Sequence, residues 1–289
     1  MGKTALPDSR GMNLSLVICT RNRAGQLSLC LDAVTKMRKP EAFELVIVDN
    51  ASTDHTGAII REFQRTARFP VILCHEAIPG LARARNVGWR ASRGDVVAFT
   101  DDDCYVAPDY AEQVIRLFAS RDLAYFGGRI MLHDPQDYPI TIIQRSKERF
   151  FSPREFIPTG RIQGANFGFA RAALLDSGGF DDRLGAGTHF PCEDIELIGR
   201  LSAAGKTGMY SPLPTVFHHH RRRAGPEIAN LRKQYDAGRG AYYMAMLMTP
   251  GMRLGTVMGL PRALLRPPGT IIREVSAAYR YLRCRLAAQ

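Results

Sequence analysis

Three consecutive aspartates, Asp101 to Asp103, directly follow the apolar run Val96 to Thr100. Neighbouring carboxylates repel one another unless a cation or a proton lies between them. If the alternation of a strand continues, Asp101 and Asp103 point to the same side. Oxygen ligands at this spacing suit Mg²⁺ or Mn²⁺ bound together with substrate phosphates, so the run indicates a metal site.

Other groups that could do chemistry stand after apolar runs or at the start of a helix. Thr20-Arg21 ends one apolar run and Asp49 ends another, where Asn, Asp, Ser and Thr also serve as ordinary turn and cap residues. The segment Cys192 to Leu201 predicts a helix that opens with the acids Glu193 and Asp194. Acids in a first turn either act on a ligand or only complement the helix dipole.

Short apolar and largely β-branched runs alternate with segments of helical spacing in the first hundred residues. The predicted strands are Leu14 to Thr20, Phe43 to Asp49, Val71 to Cys74 and Val96 to Thr100. Gln26 to Met37 and Thr56 to Arg65 are predicted helices between them. Strands that are apolar on both faces and joined by helices predict an α/β fold with a mainly parallel sheet, whose ligand site lies at the carboxyl ends of the strands.

The composition is that of a globular protein of one or two domains. The chain has 289 residues, of which 45% are hydrophobic and 23% charged, which excludes collagen, a coiled coil or general disorder. No apolar run reaches the roughly 18 residues needed to span a bilayer, and the first dozen residues lack the apolar stretch of a signal peptide. We therefore expect a cytoplasmic protein.

The excess positive charge is concentrated at the end of the chain. Residues 218–289 contain 13 Lys and Arg against 3 Asp and Glu, while the other residues hold 26 basic and 25 acidic side chains. A near-neutral body with a basic tail indicates an enzyme whose tail meets an anionic surface. A nucleic-acid-binding protein would spread basic and aromatic residues over its body, so we do not expect nucleic acid as a partner.

Seven segments in a fixed order give the chain a family resemblance. They are VICTRNR, VIVDNASTD, GLARARNVG, FTDDDC, GGFD, CEDIELIGRL and VFHHHR. Over Leu14 to Arg223 the chain resembles the family 2 glycosyltransferases, which have the GT-A fold. The resemblance implies a central mixed, mainly parallel sheet and transfer of a sugar, with inversion, from a nucleotide diphosphate to a hydroxyl acceptor. It predicts an N-terminal extension (1–13), a GT-A domain (14–223) and a helical tail (224–289).

The resemblance also implies roles for the donor-side residues. Asp49 matches the aspartate that accepts a hydrogen bond from the uracil imide, which favours UDP or dTDP, although guanine also carries an imide N–H. Thr20 and Arg21 would line the same pocket. Arg83 or Arg85 would reach the pyrophosphate, or would only decorate a helix face.

The remaining roles concern the metal and the chemical step, and each has an alternative. Asp101 resembles the ribose contact, and Asp102 or Asp103 the metal ligand, with His218 completing the metal site unless it belongs to a surface histidine cluster. Asp194 is the expected general base, with Glu193 beside it as a competitor. Gln163 and Asn166 would border donor and acceptor, or would only pack on the sheet.

Two other functions and two uses of the tail stay open. A metal-dependent nucleotidyltransferase would share the sheet and the metal, but TRNR stands where its Gly-rich, Lys-bearing phosphate loop is expected. A catalytically silent nucleotide-sugar or nucleic-acid binding protein is the second alternative. The tail, with the apolar stretch Tyr242 to Leu265 and scattered arginines, predicts a peripheral anchor on the inner face of the cell membrane, near a lipid-linked or cell-surface glycan acceptor. Otherwise it packs on the core or pairs with a second subunit.

Overall fold

The computed structural model describes residues 13–252, 255, 257 and 265–287. Of the predicted N-terminal extension, only Asn13 is among the described residues. Arg253 and Arg262 of the tail also lie outside them.

Strands and helices alternate through the first half of the chain. The strands are β1 (Leu14–Thr20), β2 (Phe43–Asn50), β3 (Val71–Glu76), β4 (Val96–Asp101), β5 (Cys104–Val106), β6 (Tyr125–Leu132), β7 (Arg149–Phe151), β8 (Asn166–Ala170) and β9 (Gly208–His218). The α-helices are α1 (Ala24–Thr35), α2 (Thr56–Thr66), α3 (Leu81–Ala91), α4 (Tyr110–Ala119), α5 (Arg171–Ser177), α6 (Glu193–Ala203), α7 (Pro226–Met248) and α8 (Pro268–Leu286), with a short 3₁₀ turn at Pro40–Ala42. The four strands predicted in the first hundred residues are confirmed.

All nine strands found among the described residues belong to one sheet, in the order β3-β2-β1-β4-β8-β6-β9-β5, with β7 paired to β9. The pairs β3–β2, β2–β1 and β1–β4 are parallel. Beyond β4 the sheet becomes mixed, since β8 runs antiparallel to both β4 and β6, while β6 and β9 are parallel. This is the α/β architecture with a mixed, mainly parallel central sheet that the sequence predicted.

The parallel half of the sheet is buried because helices lie directly on it. Val17 and Val48 are 0% exposed, as the uninterrupted apolar runs of β1 and β2 require. Helix α3 approaches so closely that a Cβ atom at Gly88 would lie 2.4 Å from Cγ1 of Val17. The packing fixes the carboxyl ends of β1, β2 and β4, where the polar residues stand.

The C-terminal helices pack on this domain. The hydroxyl of Tyr242, on α7, is buried and donates a hydrogen bond of 2.7 Å to the carbonyl oxygen of Ile157. A Cβ atom at Gly238 would lie 2.1 Å from the carbonyl oxygen of Pro191, and one at Gly240 would lie 2.0 Å from that of Glu274 on α8. Thus α7 contacts both the sheet domain and α8. Within the described ranges, no helix is long and apolar enough to cross a membrane.

Candidate active site

A cavity of about 1200 Å³ opens at the carboxyl ends of β1 and β4. Parallel strands bring their following residues to one edge, and this edge is the cavity floor. Of the residues predicted for the site, those that line the cavity are Thr20, Arg21, Arg85, Asp101, Asp102, Asp103, Gln163, Glu193, Asp194 and His218. Side chains predicted from widely separated segments are thus brought together in one place.

The turn between β4 and β5 separates the aspartates. Asp101 ends β4, and the carboxylate of the buried Asp102 accepts a hydrogen bond of 2.7 Å from the hydroxyl of Thr20. Nε of Arg23 lies 3.7 Å from the other oxygen of Asp102. Burial raises the pKa of Asp102 to about 7, although the bond from Thr20 acts in the opposite direction. Both carboxylate oxygens of Asp102 therefore contact protein groups at the end of β1.

Asp103 faces His218 across the sheet. β5 and β9 are antiparallel and pair Cys104 with His218, which brings Nε2 of His218 to 3.2 Å from Oδ1 of Asp103. Burial acts against the charge on each group, yet the hydrogen bond between them lowers the pKa of Asp103 and raises that of His218.

The groups around Asp103 have the composition of a cation site. One ligand atom each from Asp101, Asp103, Cys104 and His218 lies within 4.8 Å of the others. Burial raises the pKa of the Cys104 thiol well above its usual value, so the thiolate that a metal needs is disfavoured. Two carboxylates and an imidazole remain, which is a donor set suited to a hydrated Mn²⁺ or Mg²⁺.

Arg85 lies in the cavity lining but is almost completely buried and paired within the protein. Its Nη1 donates a hydrogen bond of 2.6 Å to Oε1 of Glu193, and its Nη2 donates to the carbonyl oxygen of Gly164 at 3.1 Å and to Oδ1 of Asp101 at 3.4 Å. The side chain is 3% exposed, and the guanidinium lies 5.0 Å from the ring centre of Phe167. The geometry makes Arg85 a bridge between β4 and α6.

The acidic pair at the start of α6 divides between the interior and the cavity. Burial raises the pKa of Glu193 to about 7 despite the opposing charge of Arg85. Asp194 is half-buried, and its Oδ1 accepts a hydrogen bond of 2.7 Å from the backbone N–H of Ile195. Burial also raises the pKa of Asp194, while Arg85 lowers it. Asp194 is thus a cavity-facing carboxylate held by the first turn of its helix.

The segment before β8 passes close to this pair. A Cβ atom at Gly164 would lie 2.8 Å from Nη2 of Arg85 and 3.3 Å from Oδ2 of Asp194, so a larger residue there would displace both. Oε1 of the neighbouring Gln163 is buried in the cavity wall without a hydrogen-bond partner in the described part of the chain. The acceptor is thus left unsatisfied inside the cavity wall.

Asn166 does not line the cavity. Its side chain is 0% exposed, and Nδ2 donates to the carbonyl oxygens of Arg129 at 2.9 Å and Pro214 at 3.0 Å. Its Oδ1 accepts a hydrogen bond of 2.9 Å from the hydroxyl of Tyr110. With its amide saturated, Asn166 joins β8 to its neighbours, which corrects the predicted substrate contact in favour of the packing alternative.

Two further predicted residues lie beside the cavity. Asp49 pairs with Thr20 in the register of β1 and β2, and its Oδ1 accepts a hydrogen bond of 3.1 Å from the backbone N–H of Ser52. Arg83 forms an ion pair of 3.3 Å with Asp182, both side chains being more than a third exposed. Arg83 thus has the geometry of a residue on a helix face.

One wall of the cavity comes from α7, which the motifs did not reveal. Lys233 and Tyr235 line it, together with Arg222 from the segment before the helix. Burial raises the pKa of Tyr235 to about 12; the positive charge of Arg222 opposes this shift and the carboxylate of Asp101 adds to it. The Tyr235 hydroxyl makes no hydrogen bond with the residues that the structure describes. The sequence placed this helix in the basic tail and left open whether the tail packs on the core or meets a membrane.

Comparisons with known proteins agree with this architecture. A family model described as Glycosyl transferase family 2 matches residues 15–177. The glycosyltransferase AglE of Haloferax volcanii is 27% identical over 242 residues, which cover 81% of this chain and 74% of AglE. The pre-mycofactocin glycosyltransferase of Mycobacterium tuberculosis is 26% identical over 79% of this chain, which spans only 47% of that relative.

Solved structures extend the likeness to the fold. The mannosyltransferase PcManGT of Pyrobaculum calidifontis, in complex with GDP-Man and Mn²⁺, superposes with a TM-score of 0.69 at 19% identity, covering 100% of this chain and 79% of its own. Residues 1–349 of TarS from S. aureus, in complex with UDP-GlcNAc, give a TM-score of 0.60 at 15% identity and cover 94% and 81% of the two chains. The chain belongs to glycosyl transferase family 2. It is a glycosyltransferase with a GT-A-like fold.

Proposed function

We propose that this glycosyltransferase moves a sugar from a nucleoside diphosphate donor to a hydroxyl acceptor with inversion at the anomeric carbon. One observation carries the proposal: Asp194 faces the same cavity as the strand-end aspartates, so a base and a diphosphate site share one space. Inversion requires a base on the side of the sugar opposite the leaving group. Asp194 is on α6 and the aspartates lie at the end of β4, so separate elements supply the base and the diphosphate site.

Asp194 is proposed to accept the proton of the acceptor hydroxyl as its oxygen attacks the anomeric carbon. The backbone N–H groups of Ile195 and Gly164 both hydrogen-bond the carboxylate and hold it at the cavity wall. A carboxylate has about four lone-pair sites, so the acceptor hydroxyl can still bind to it. The partial positive charge of the helix N-terminus favours the ionised carboxylate that a base requires. Glu193 is the weaker candidate because it is buried and bonded to Arg85.

Asp103 and His218 are proposed to hold a divalent metal, Mn²⁺ or Mg²⁺, with Asp101 within reach of the same position. When bound, the metal would neutralise charge on the departing nucleoside diphosphate. Asp102 is a poorer ligand than Asp103 because Thr20 already donates to it. Mn²⁺ in PcManGT supports this assignment, while the choice between the two metals stays a proposal.

The donor is proposed to lie along the ends of β1, β2 and β4. Thr20 and Arg21 line this side of the cavity, and Asp49 ends the neighbouring strand. Asp49 remains the proposed partner of a base imide, which favours UDP or dTDP, while the GDP-Man of PcManGT keeps guanine among the candidates. Asp101 remains the proposed ribose contact.

The acceptor is proposed to enter between Asp194 and α7. The unbonded hydroxyl of Tyr235 offers a hydrogen-bonding partner for an acceptor hydroxyl, and Gln163 lines the same cavity. We propose a lipid-linked or cell-surface glycan precursor as the acceptor and the cytoplasmic face of the cell membrane as the place of action. The basic tail of the chain supports this location.

A donor screen tests the reaction. The protein is incubated with Mn²⁺ and UDP-, dTDP- or GDP-linked sugars, and mass spectrometry detects the free nucleoside diphosphate and the released or transferred sugar. We expect one base to be preferred and the product to be a nucleoside diphosphate. Release of a nucleoside monophosphate or of pyrophosphate would indicate phosphoryl chemistry and would contradict the proposal.

A further inference from the structure

Helix α8 carries an uncovered apolar stripe. Ile272, Val275, Tyr279 and Leu286 are 68%, 63%, 59% and 58% exposed. At about 100° per residue these four side chains fall within an arc of roughly 60° on the helix. The opposite face, with Ala277 and Tyr281, is buried. α8 therefore has two apolar faces. Its inner face packs on the protein, and part of its outer face is apolar and exposed.

The described arginines of α8, together with Arg239 and Arg266 beside it, divide into two groups. Arg266 and Arg239 bind Glu274, Arg273 binds Asp236 at 2.7 Å, and Arg285 lies 3.3 Å from Asp181. These side chains hold α7, α8 and the core together, and each of them is paired with an acid of the protein.

Arg280 and Arg283 form the second group. Both are exposed on α8 and neither makes an ion pair within the described part of the chain. By helical periodicity both lie on the flank of the apolar stripe, Arg280 at roughly 80° and Arg283 at roughly 20° from Ile272. The acid of α8, Glu274, is 5% exposed and bonded internally. The outer face of α8 thus combines apolar side chains with uncompensated positive charge.

We propose that this outer face of α8 is a docking surface for an anionic lipid membrane. Apolar side chains between the headgroups and arginines beside lipid phosphates are what such a surface requires. A second copy of the chain fits less well, because a symmetric contact would bring the unpaired arginines of both copies together without acids. The proposal rests on the membrane location proposed above and names the surface that provides it.

The surface lies one helix away from the cavity. Arg239 of α7 lines the cavity and binds Glu274 of α8. Docking through α8 therefore holds the α7 wall, the proposed acceptor side, near the membrane. A lipid-linked acceptor would reach Asp194 along this wall without leaving the lipid surface.

Vesicle flotation tests the charged part of the surface. The intact chain is mixed with phosphatidylcholine vesicles with or without phosphatidylglycerol. We expect binding to the anionic vesicles that weakens with salt. The Arg280→Gln/Arg283→Gln variant should bind about 25-fold more weakly, since each arginine near an anionic surface contributes about fivefold. The charge-matched control is Arg68→Gln/Arg93→Gln, which alters two exposed arginines at the opposite edge of the sheet and should leave binding unchanged.

Apolar variants separate insertion from simple attraction. Ile272→Ser/Val275→Ser should weaken binding by at least about tenfold through loss of buried apolar area. The control Leu29→Ser/Leu175→Ser changes two exposed leucines of α1 and α5 and should bind normally. Circular dichroism melts verify that every variant folds.

Three outcomes would overturn the assignment. If wild type binds anionic vesicles and both α8 variants bind equally well, another surface meets the membrane. If wild type ignores anionic vesicles at low salt, the membrane location itself is wrong, while donor turnover in the screen still tests the transferase independently. If light scattering shows a wild-type dimer that the α8 variants dissociate without any change in vesicle binding, the face contacts a second copy.

Discussion

Nη1 of Arg85 lies 2.6 Å from Oε1 of Glu193, although 108 positions separate the two residues along the chain. Both side chains are almost completely buried, at 3% and 7% exposure. The other guanidinium nitrogen, Nη2, donates hydrogen bonds to Gly164 and Asp101. A single guanidinium therefore links α3, β4, α6 and the segment before β8. The sequence offered a phosphate contact for Arg85, but the geometry makes it the internal counter-charge of the acidic site.

Arg85→Met should lower the free energy of unfolding by about 3–5 kcal/mol, because it leaves Glu193 buried without its partner. Urea titration measures this loss. The matched control is Arg83→Met on the same helix, whose exposed pair with Asp182 is worth at most about 1 kcal/mol. Adding Glu193→Gln to Arg85→Met should recover much of the stability. Equal losses for the two arginine variants would show that burial of the Arg85 pair is unimportant.

Asp194→Asn should reduce transfer by about 10²- to 10⁴-fold, since the amide retains the shape of the side chain but cannot accept a proton. Binding of the nucleoside diphosphate, measured by calorimetry, should stay near the wild-type value. A variant that keeps more than about half of its activity would move the base elsewhere, and Glu193→Gln would be measured next.

Divalent metal should be required for tight binding of the nucleoside diphosphate, because the diphosphate otherwise meets the aspartates at the end of β4 without a bridging charge. Calorimetry with UDP, dTDP and GDP, with Mn²⁺ or with chelator, measures the dependence. Asp103→Ala and His218→Ala should each abolish the metal-dependent part, while Asp95→Ala at the opposite edge of the sheet should not. Undiminished binding in chelator would remove the metal assignment.

Transfer should decline on the acid side with an apparent pKa above the ordinary aspartate value of about 4, because burial raises the pKa of Asp194 and a base must be ionised. Glu193→Gln removes the negative charge that Glu193 carries when it is ionised and leaves more of the positive charge of Arg85 to act on Asp194. Both changes favour ionised Asp194, so the acid limb of a kcat profile at saturating Mn²⁺ should move to lower pH. A limb that moves to higher pH in this variant would contradict the coupling.

Tyr235→Phe should raise the KM for the acceptor by about two- to tenfold, which corresponds to one hydrogen bond. Donor KM and slow donor hydrolysis should be unchanged, because the hydroxyl belongs to the α7 wall. Tyr210→Phe is the control, since that hydroxyl binds the carbonyl oxygen of Arg145 away from the cavity. A rise in donor KM with an unchanged acceptor KM would place Tyr235 on the donor side.

The sequence by itself determined the parallel half of the sheet and the chemistry at its edge. Uninterrupted apolar strands joined by helices form a parallel sheet covered on both faces. Because the strands run in the same direction, Thr20, Asp49 and Asp101 at their ends lie at the same edge of the sheet. The position of Asp194 in the first turn of α6 also followed from the sequence, because the helical spacing of the apolar residues after it predicts where that helix begins. These features depend on short-range patterns, which a sequence displays directly.

Only the tertiary structure decided which polar groups are already satisfied. Asn166 and Arg85 stand in motifs that suggested ligand contacts. In the structure, both side chains form hydrogen bonds with residues far away in the chain. The tail shows the same division, since Arg273 is neutralised by Asp236 while Arg280 remains exposed. Tyr235 reaches the cavity because Gly238 lets α7 pack closely against Pro191. Such pairings depend on how distant elements pack together. Local periodicity in the sequence does not determine the distances between those elements.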